Sequence, residues 1–169
     1  NGIHSEMSRP DVEEVNVKLG AKSNLPAHAV LLSGEMFSES GLASDGAIEV
    51  VITQSCMISQ GLLLGETIAF DDLRTVDGQK IRMVIKGIIA DGEDDTYYWQ
   101  EKAGDLNDMV LMDFDLFREM FTGENSYRYT VTCYYTSLFE YKDITAQEVG
   151  KFLNKTHYYA DESAYRSVI

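Results

Sequence analysis

The chain has 169 residues, 44% of them hydrophobic, and carries 28 Asp and Glu against 14 Lys and Arg, a formal charge of −14. That length suits one domain or two small parts sharing a core, and the charge repels phosphate backbones, so no nucleic-acid partner is expected. The longest aliphatic runs, such as "AVLL" and "MVLM", fall far short of the roughly 20 apolar residues a membrane-crossing helix needs. The opening residues show no basic-then-apolar leader pattern. In chain order, Ile3 to Met7 has the spacing of a frayed helical end. "VEEVNVKLG" (12–20) predicts a strand with Val15 and Val17 on one face, and "AHAVLLS" (27–33) a second. "GEMFSESGLASDG" (34–46) is a turn-rich connection. "IEVVIT" (48–53) predicts a strand, being β-branched, apolar and bounded by Gly46.

"QSCMISQG" (54–61) predicts a short helix, capped by Thr53 or Ser55 and closed by Gly61 at positive φ. The following "LLLG" then forms a corner, in which Leu62 and Leu64 return to the core and Gly65 turns the chain into the strand "ETIAF". A phosphate loop is a poor fit, because its glycines precede a helix, whereas these follow one, and no lysine follows the second glycine. "QKIRMVIKGIIAD" (79–91) predicts a long strand with Ile81, Met83, Ile85 and Ile89 on one face and Gly87 at a bulge or close approach. "DMVLMD" (108–113) is another strand. Asp113 or Asp115 caps a helix with Phe117, Met120 and Phe121 on one face, stopped by Gly123. "YRYTVTCYYT" (127–136) alternates as a strand, and "TAQEVGKFLNK" (145–155) opens with the capping-box pair Thr145 and Glu148. Consecutive strands outnumber helices, so the fold class is α+β.

No catalytic constellation is legible. His4, His28 and His157 have no metal-ligand spacing. "LLSGEM" lacks the nucleophile elbow of a serine hydrolase. Cys56 and Cys133 are too few and too far apart for a disulfide scaffold or a CxxC site. Asp91, Glu93, Asp94 and Asp95 do not match a calcium-loop spacing and read as a solvated acidic turn. The adjacent aromatics Tyr97, Tyr98 and Trp99 stand out. Successive side chains of an extended segment face opposite ways, so at least one is expected to be exposed or packed beneath a loop. Residues 91–100 are therefore the candidate contact loop, with aromatics capping a barrel or sheet end as the alternative.

"GEMFSESGLASDGAIEVVITQSCMISQGLLLGETIAF", then "GQKIRMVIKGIIADGEDDTYYW" and "NDMVLMDFDLFREMF", together resemble the extracytoplasmic domain of MacB/FtsX-type ABC transporter permeases. Gly34, Glu49 to Thr53, Leu62 to Ile68 and Lys86 to Ile89 carry the match, which spans roughly residues 30–121. The resemblance implies a mixed-β sabre-like subdomain at 30–125, and a smaller α/β porter-like subdomain built from 1–29 and 126–169. It implies a non-catalytic domain on the extracytoplasmic face of the cell membrane, between one membrane helix before it and three after. No cofactor or metal is expected in the domain, ATP being hydrolysed on a partner ATPase. The implied partners are the rest of the permease, its ATPase subunit, and a peptide, lipoprotein or lipid-linked substrate, with a dimeric parent. A free-standing ligand-binding module outside the cytoplasm is the alternative, and a hydrolase the third reading.

Overall fold

The computed structural model describes residues 2–9, 12–74, 78–92, 97–99, 106–121, 145 and 147–151. The chain divides into two compact units, Asn1–Val131 and Thr132–Ile169. In the first lie strands β1 (Gly2–Arg9), β2 (Val12–Ala21), β3 (Leu31–Gly34), β4 (Ile48–Thr53), β5 (Thr67–Arg74), β6 (Lys80–Ile89) and β7 (Met109–Met112). Helices α1 (Leu25–His28), α2 (Gln54–Gln60) and α3 (Phe114–Phe121), with a 3-10 turn at Tyr97–Trp99, accompany them among the described residues. In the second unit, Thr145 and Glu148 form the expected capping box: the Glu148 N–H donates to Thr145 Oγ1 and the Thr145 N–H to Glu148 Oε2, each at 3.3 Å, at the start of the helical residues 147–151. The strand expected at 127–136, Gly123 and Cys133 lie outside the described residues.

The seven strands form one mixed sheet in the order β3-β6-β4-β7-β2-β1-β5, and β5 also pairs with β6. That last pairing closes six strands into a ring. β6 has parallel β4 on one edge. On its other edge, antiparallel β5 occupies the first half and antiparallel β3 the last residues. β7 joins antiparallel β4 to parallel β2, and β1 carries the ring from β2 back to β5. Strands from the 1–29 segment and from 30–121 thus hydrogen-bond within the same sheet.

Alternation fills the ring. Ile48, Val50 and Ile52 of β4, Ile81, Met83 and Ile85 of β6, Val110 and Met112 of β7, Val17 and Leu19 of β2, and Ile68 and Phe70 of β5 form one buried cluster. Phe117 and Phe121 of α3 and Cys56 of α2 join it. The intervening residues Val51 and Leu111 belong to a second cluster, covered by Leu25 of α1 and Trp99 of the 3-10 turn. With apolar neighbours on both faces, β4 is buried along its whole length, as strands covered on both sides are.

Several expectations are corrected. Residues 2–9 are a strand, because pairing with β2 from Gly2↔Gly20 to Arg9↔Val12 overrides a local spacing shared by helices and strands. Residues 25–28 are a short helix with Pro in its first turn, so the second strand begins only at Leu31. Ile89 does not share the face of Ile85. Val50 pairs with Ile85 but Val51 with Gly87, so Lys86 is an extra residue in β6. The bulge reverses the alternation, placing Ile88 in the ring cluster and Ile89 in the second.

The corner after α2 matches its sequence in outline. Thr53 accepts the Cys56 N–H, and Gly61 ends the helix at φ 62°. Leu62 is fully buried, its N–H bonded to Met57 O at 3.1 Å. Leu64, however, is 42% exposed. The Glu66 N–H donates to Leu63 O at 3.1 Å and Gly65 N–H to Ile85 O at 2.8 Å, a tight turn locked to β6 that projects Leu63 and Leu64 outward.

Gly34 stands where β3 leaves β6, at φ 75°, and a β-carbon there would lie 2.2 Å from the Lys86 carbonyl oxygen and 2.7 Å from Leu64 Cδ1. Gly61 has a comparable φ but open space around it. Gly61→Ala should therefore cost about 1 kcal/mol for the left-handed backbone alone, and Gly34→Ala on the order of 3 kcal/mol. Urea denaturation of both variants checks this; equal losses would mean that the backbone contact at Gly34 contributes nothing.

Candidate contact surface

The 3-10 turn directs its side chains differently from an extended segment. Trp99 is 7% exposed, and a β-carbon on Gly92 would lie 2.3 Å from its Cγ, so the indole lies flat against a residue that has no side chain. Tyr98 is half-buried. Its ring meets Trp99 edge-on at 5.0 Å and stacks on His28 at 4.0 Å between centroids. The Tyr98 hydroxyl donates to Ser23 O at 2.9 Å. The Lys22 ammonium lies 5.0 Å from the Tyr98 centroid and 5.2 Å from that of Trp99, within cation–π range. Tyr98 and Trp99 therefore join α1 and Lys22 to the outer face of β4 and β7. The Tyr97 side chain lies outside the described residues.

A second set of polar contacts fixes the loop after β3. The Glu49 carboxylate, 6% exposed on the outer face of β4, accepts the Ser38 N–H at 2.6 Å. Lys86, the bulge residue, places its ammonium 2.5 Å from Glu35 and 3.8 Å from Glu49. Burial pushes the Glu49 carboxyl up, but the Ser38 N–H and the Lys86 charge outweigh it and hold the group below its ordinary value. The bond to Glu35 and the two carboxylate charges raise Lys86.

Among the described residues, the remaining chemistry-bearing side chains do not assemble. Burial, with the charges of Asp108 and Asp91, pushes the Cys56 thiol up to about 12, which leaves it protonated and unreactive. Asp91 accepts from Ser55 N and Ser55 Oγ at 3.1 and 2.6 Å, tying the end of β6 to the start of α2; residues 93–95 lie outside the described set. His28 ends α1, while His4 lies in β1 and His157 outside the described residues. Among the described residues no group of three or more His, Cys, Asp or Glu could hold a metal, and no helix is long and apolar enough to cross a membrane.

What sequence reading missed is an apolar surface. Val30, Leu31 and Leu32 of β3 and its lead-in, Ile58 of α2, and Leu63 and Leu64 of the corner are all exposed. β3 and the corner adjoin at Gly34, where Leu64 Cδ1 sits, and Leu31 Cδ1 lies over the paired Gly87. The signal was present in the charges: residues 23–34 and 50–65 contain no Asp, Glu, Lys or Arg.

No protein-family model matches the chain, and no curated protein sequence matches it. Among solved structures it is similar to the extracellular domain of the noncanonic ABC-type transporter YknZ from Gram-positive bacteria, at 13% identity and TM-score 0.39, over 70% of this chain and 55% of that one. It is also similar to the periplasmic region of MacB from Actinobacillus actinomycetemcomitans, at 12% identity and TM-score 0.47, over 92% of this chain and 62% of that one. The chain thus spans less than two thirds of either structure.

Two measurements follow from this geometry. Trp99 is the chain's one tryptophan, so its emission should be shielded from iodide and acrylamide, and Gly92→Ala should expose it; ready quenching of the native chain would contradict the packing. Because the Glu49 pKa is depressed on folding, its stabilisation is complete above the ordinary value of 4.5 and is lost as pH falls through the folded value. Glu49→Gln should flatten that acid limb in thermal melts between pH 3 and 6, roughly the carboxylate range, and Lys86→Met should shift it upward. An unchanged limb in both variants would exclude the pair as its source.

Proposed function

We propose that this chain is the non-catalytic extracytoplasmic domain of an ABC-transporter permease of the MacB/FtsX type, and that it engages a substrate or partner protein and passes motion to the membrane helices. The observation that carries this reading is where the resemblance-bearing residues meet. Gly34, Lys86 to Ile89, Leu64 and Gly65, and Glu49 are far apart in sequence. In the fold they surround one junction: Gly34 pairs with Gly87, Leu64 lies on Gly34, Gly65 bonds to Ile85, and Glu49 lies beside Lys86. Residues matching a family pattern at the place that shapes the fold support common architecture more strongly than scattered matches would.

The mechanical part of the reading rests on the ring. A closed sheet has few soft joints, so a displacement applied to one strand is carried by the others as a rigid body. ATP hydrolysis belongs to a partner ATPase in this reading, and the parent permease is a dimer. The candidate substrates are a peptide, a lipoprotein or a lipid-linked molecule.

Topology tests the proposal. The complete reading frame should carry one apolar span of roughly 20 residues before this chain and three after it, and protease added to intact cells should digest the domain while a cytoplasmic control survives. Absence of those spans with a digested domain would favour the free-standing binding module. A protected domain would overturn both readings.

A further inference from the structure

We propose that the 35–41 loop is a conformational strap, whose release from β4 loosens the first turn of α3 while the ring stays closed. The proposal goes beyond the function proposed above and does not depend on it.

Three observations carry it. First, polar contacts hold the loop more than apolar burial does. The Glu35 N–H donates to Lys86 O at 2.9 Å, the Lys86 ammonium reaches Glu35 and Glu49, and Glu49 Oε2 accepts the Ser38 N–H. Between 35 and 41 only Gly41, which has no side chain, is buried; Met36 and Phe37 are half-buried and the others exposed. Segments with few buried apolar contacts open at a lower free energy than the core beneath them.

Second, Gly41 ties this clamp to α3. Its N–H donates to Ser38 O at 2.9 Å, and its carbonyl accepts the Glu49 N–H at 2.8 Å. At φ 64°, a β-carbon on Gly41 would lie 2.9 Å from Leu116 Cδ2 and 3.1 Å from Asp113 Cβ. The loop backbone therefore rests directly on the start of the helix. Third, the residues it touches are the ones that build that turn. Asp113 Oδ1 accepts the Leu116 N–H and Asp113 O the Phe117 N–H, both at 2.9 Å. Ser38 and Gly41 are the two links between the Glu49 carboxylate and the α3 cap.

The ring is a different kind of structure. β4 is buried along its whole length and is bonded to β6 on one side and β7 on the other. Lifting the strap breaks the bonds that Glu49 makes to Ser38 and Gly41, and none of the bonds between β4 and those neighbours. Because the contact at Gly41 is shared, loosening either partner loosens the other by the same factor.

The test is native-state hydrogen exchange of the 169-residue chain, read by NMR at Ser38, Gly41, Leu116 and Phe117. These amides should exchange through one shared opening, about tenfold or more favourable than the openings that expose the β4 and β7 ladder amides. Glu49→Gln keeps the shape and removes the charge. It should speed exchange about tenfold at Ser38, and by the same factor at Leu116 and Phe117. Leu116→Ala works from the other end and should speed Ser38 and Gly41; it also decides the matter if Glu49→Gln fails to fold. Acceleration confined to the mutated end in either variant would overturn the proposal. So would native exchange at these amides as slow as in the ladders, since the strap would then open only when the whole unit unfolds. Exchange is read within the isolated chain, so none of these outcomes bears on the topology test.

Discussion

One extra residue in β6 organises the first unit. Lys86 has no counterpart in β4, so the strand changes phase at its middle. Before the bulge its alternate residues fill the ring; after it, Ile88 continues the ring core while Ile89 turns to the outer cluster. The same irregularity lets β6 change partners on its other edge, from β5 to β3. Its carbonyl, turned out of register, accepts the Glu35 N–H at 2.9 Å.

The bulge side chain then holds what its backbone has released. Lys86 reaches both Glu35 and Glu49, and Glu49 fastens the Ser38 N–H while its own N–H donates to Gly41 O at 2.8 Å. A carboxylate this far from water is tolerable only with such partners. The charges are therefore spent on fixing the 35–41 loop, and Met36 and Phe37 of that loop pack on the second core. Backbone irregularity, ion pairing and outer-face packing form one causal chain.

Local chemistry made much of this readable in advance. The α2 unit could be read residue by residue, from the Thr53 cap to the Gly61 stop, because capping is decided within a few positions. The Asp113 cap of α3, whose Oδ1 accepts the Leu116 N–H at 2.9 Å, and its Phe117/Phe121 face belong to the same class. Gly87 was legible as an irregularity, but the phase reversal was not, since it depends on which residue β4 offers opposite. Ring closure was beyond local reading too, because it joins Met7 to Phe70 and no periodicity within either segment records the other. For the contact loop, the three aromatics were evident but their directions were not: a 3-10 turn rotates successive side chains by roughly 120°, and an extended reading assumes the alternation of a strand. The apolar surface was hidden in plain composition, as two charge-free stretches whose meeting at Gly34 only the fold reveals.

The parallel pairing of β2 with β7 sets an order of events during synthesis. Lys18 to Ala21 bond to Met109 to Met112, so the β1–β2 hairpin leaves the ribosome with a permanent neighbour some 90 residues behind it. At typical elongation rates that is a wait of about 5–20 s. Through that interval one edge of the β1–β2 hairpin is a free template for pairing with other chains. The nascent protein thus depends on whatever shields that edge more than its finished closed ring would suggest.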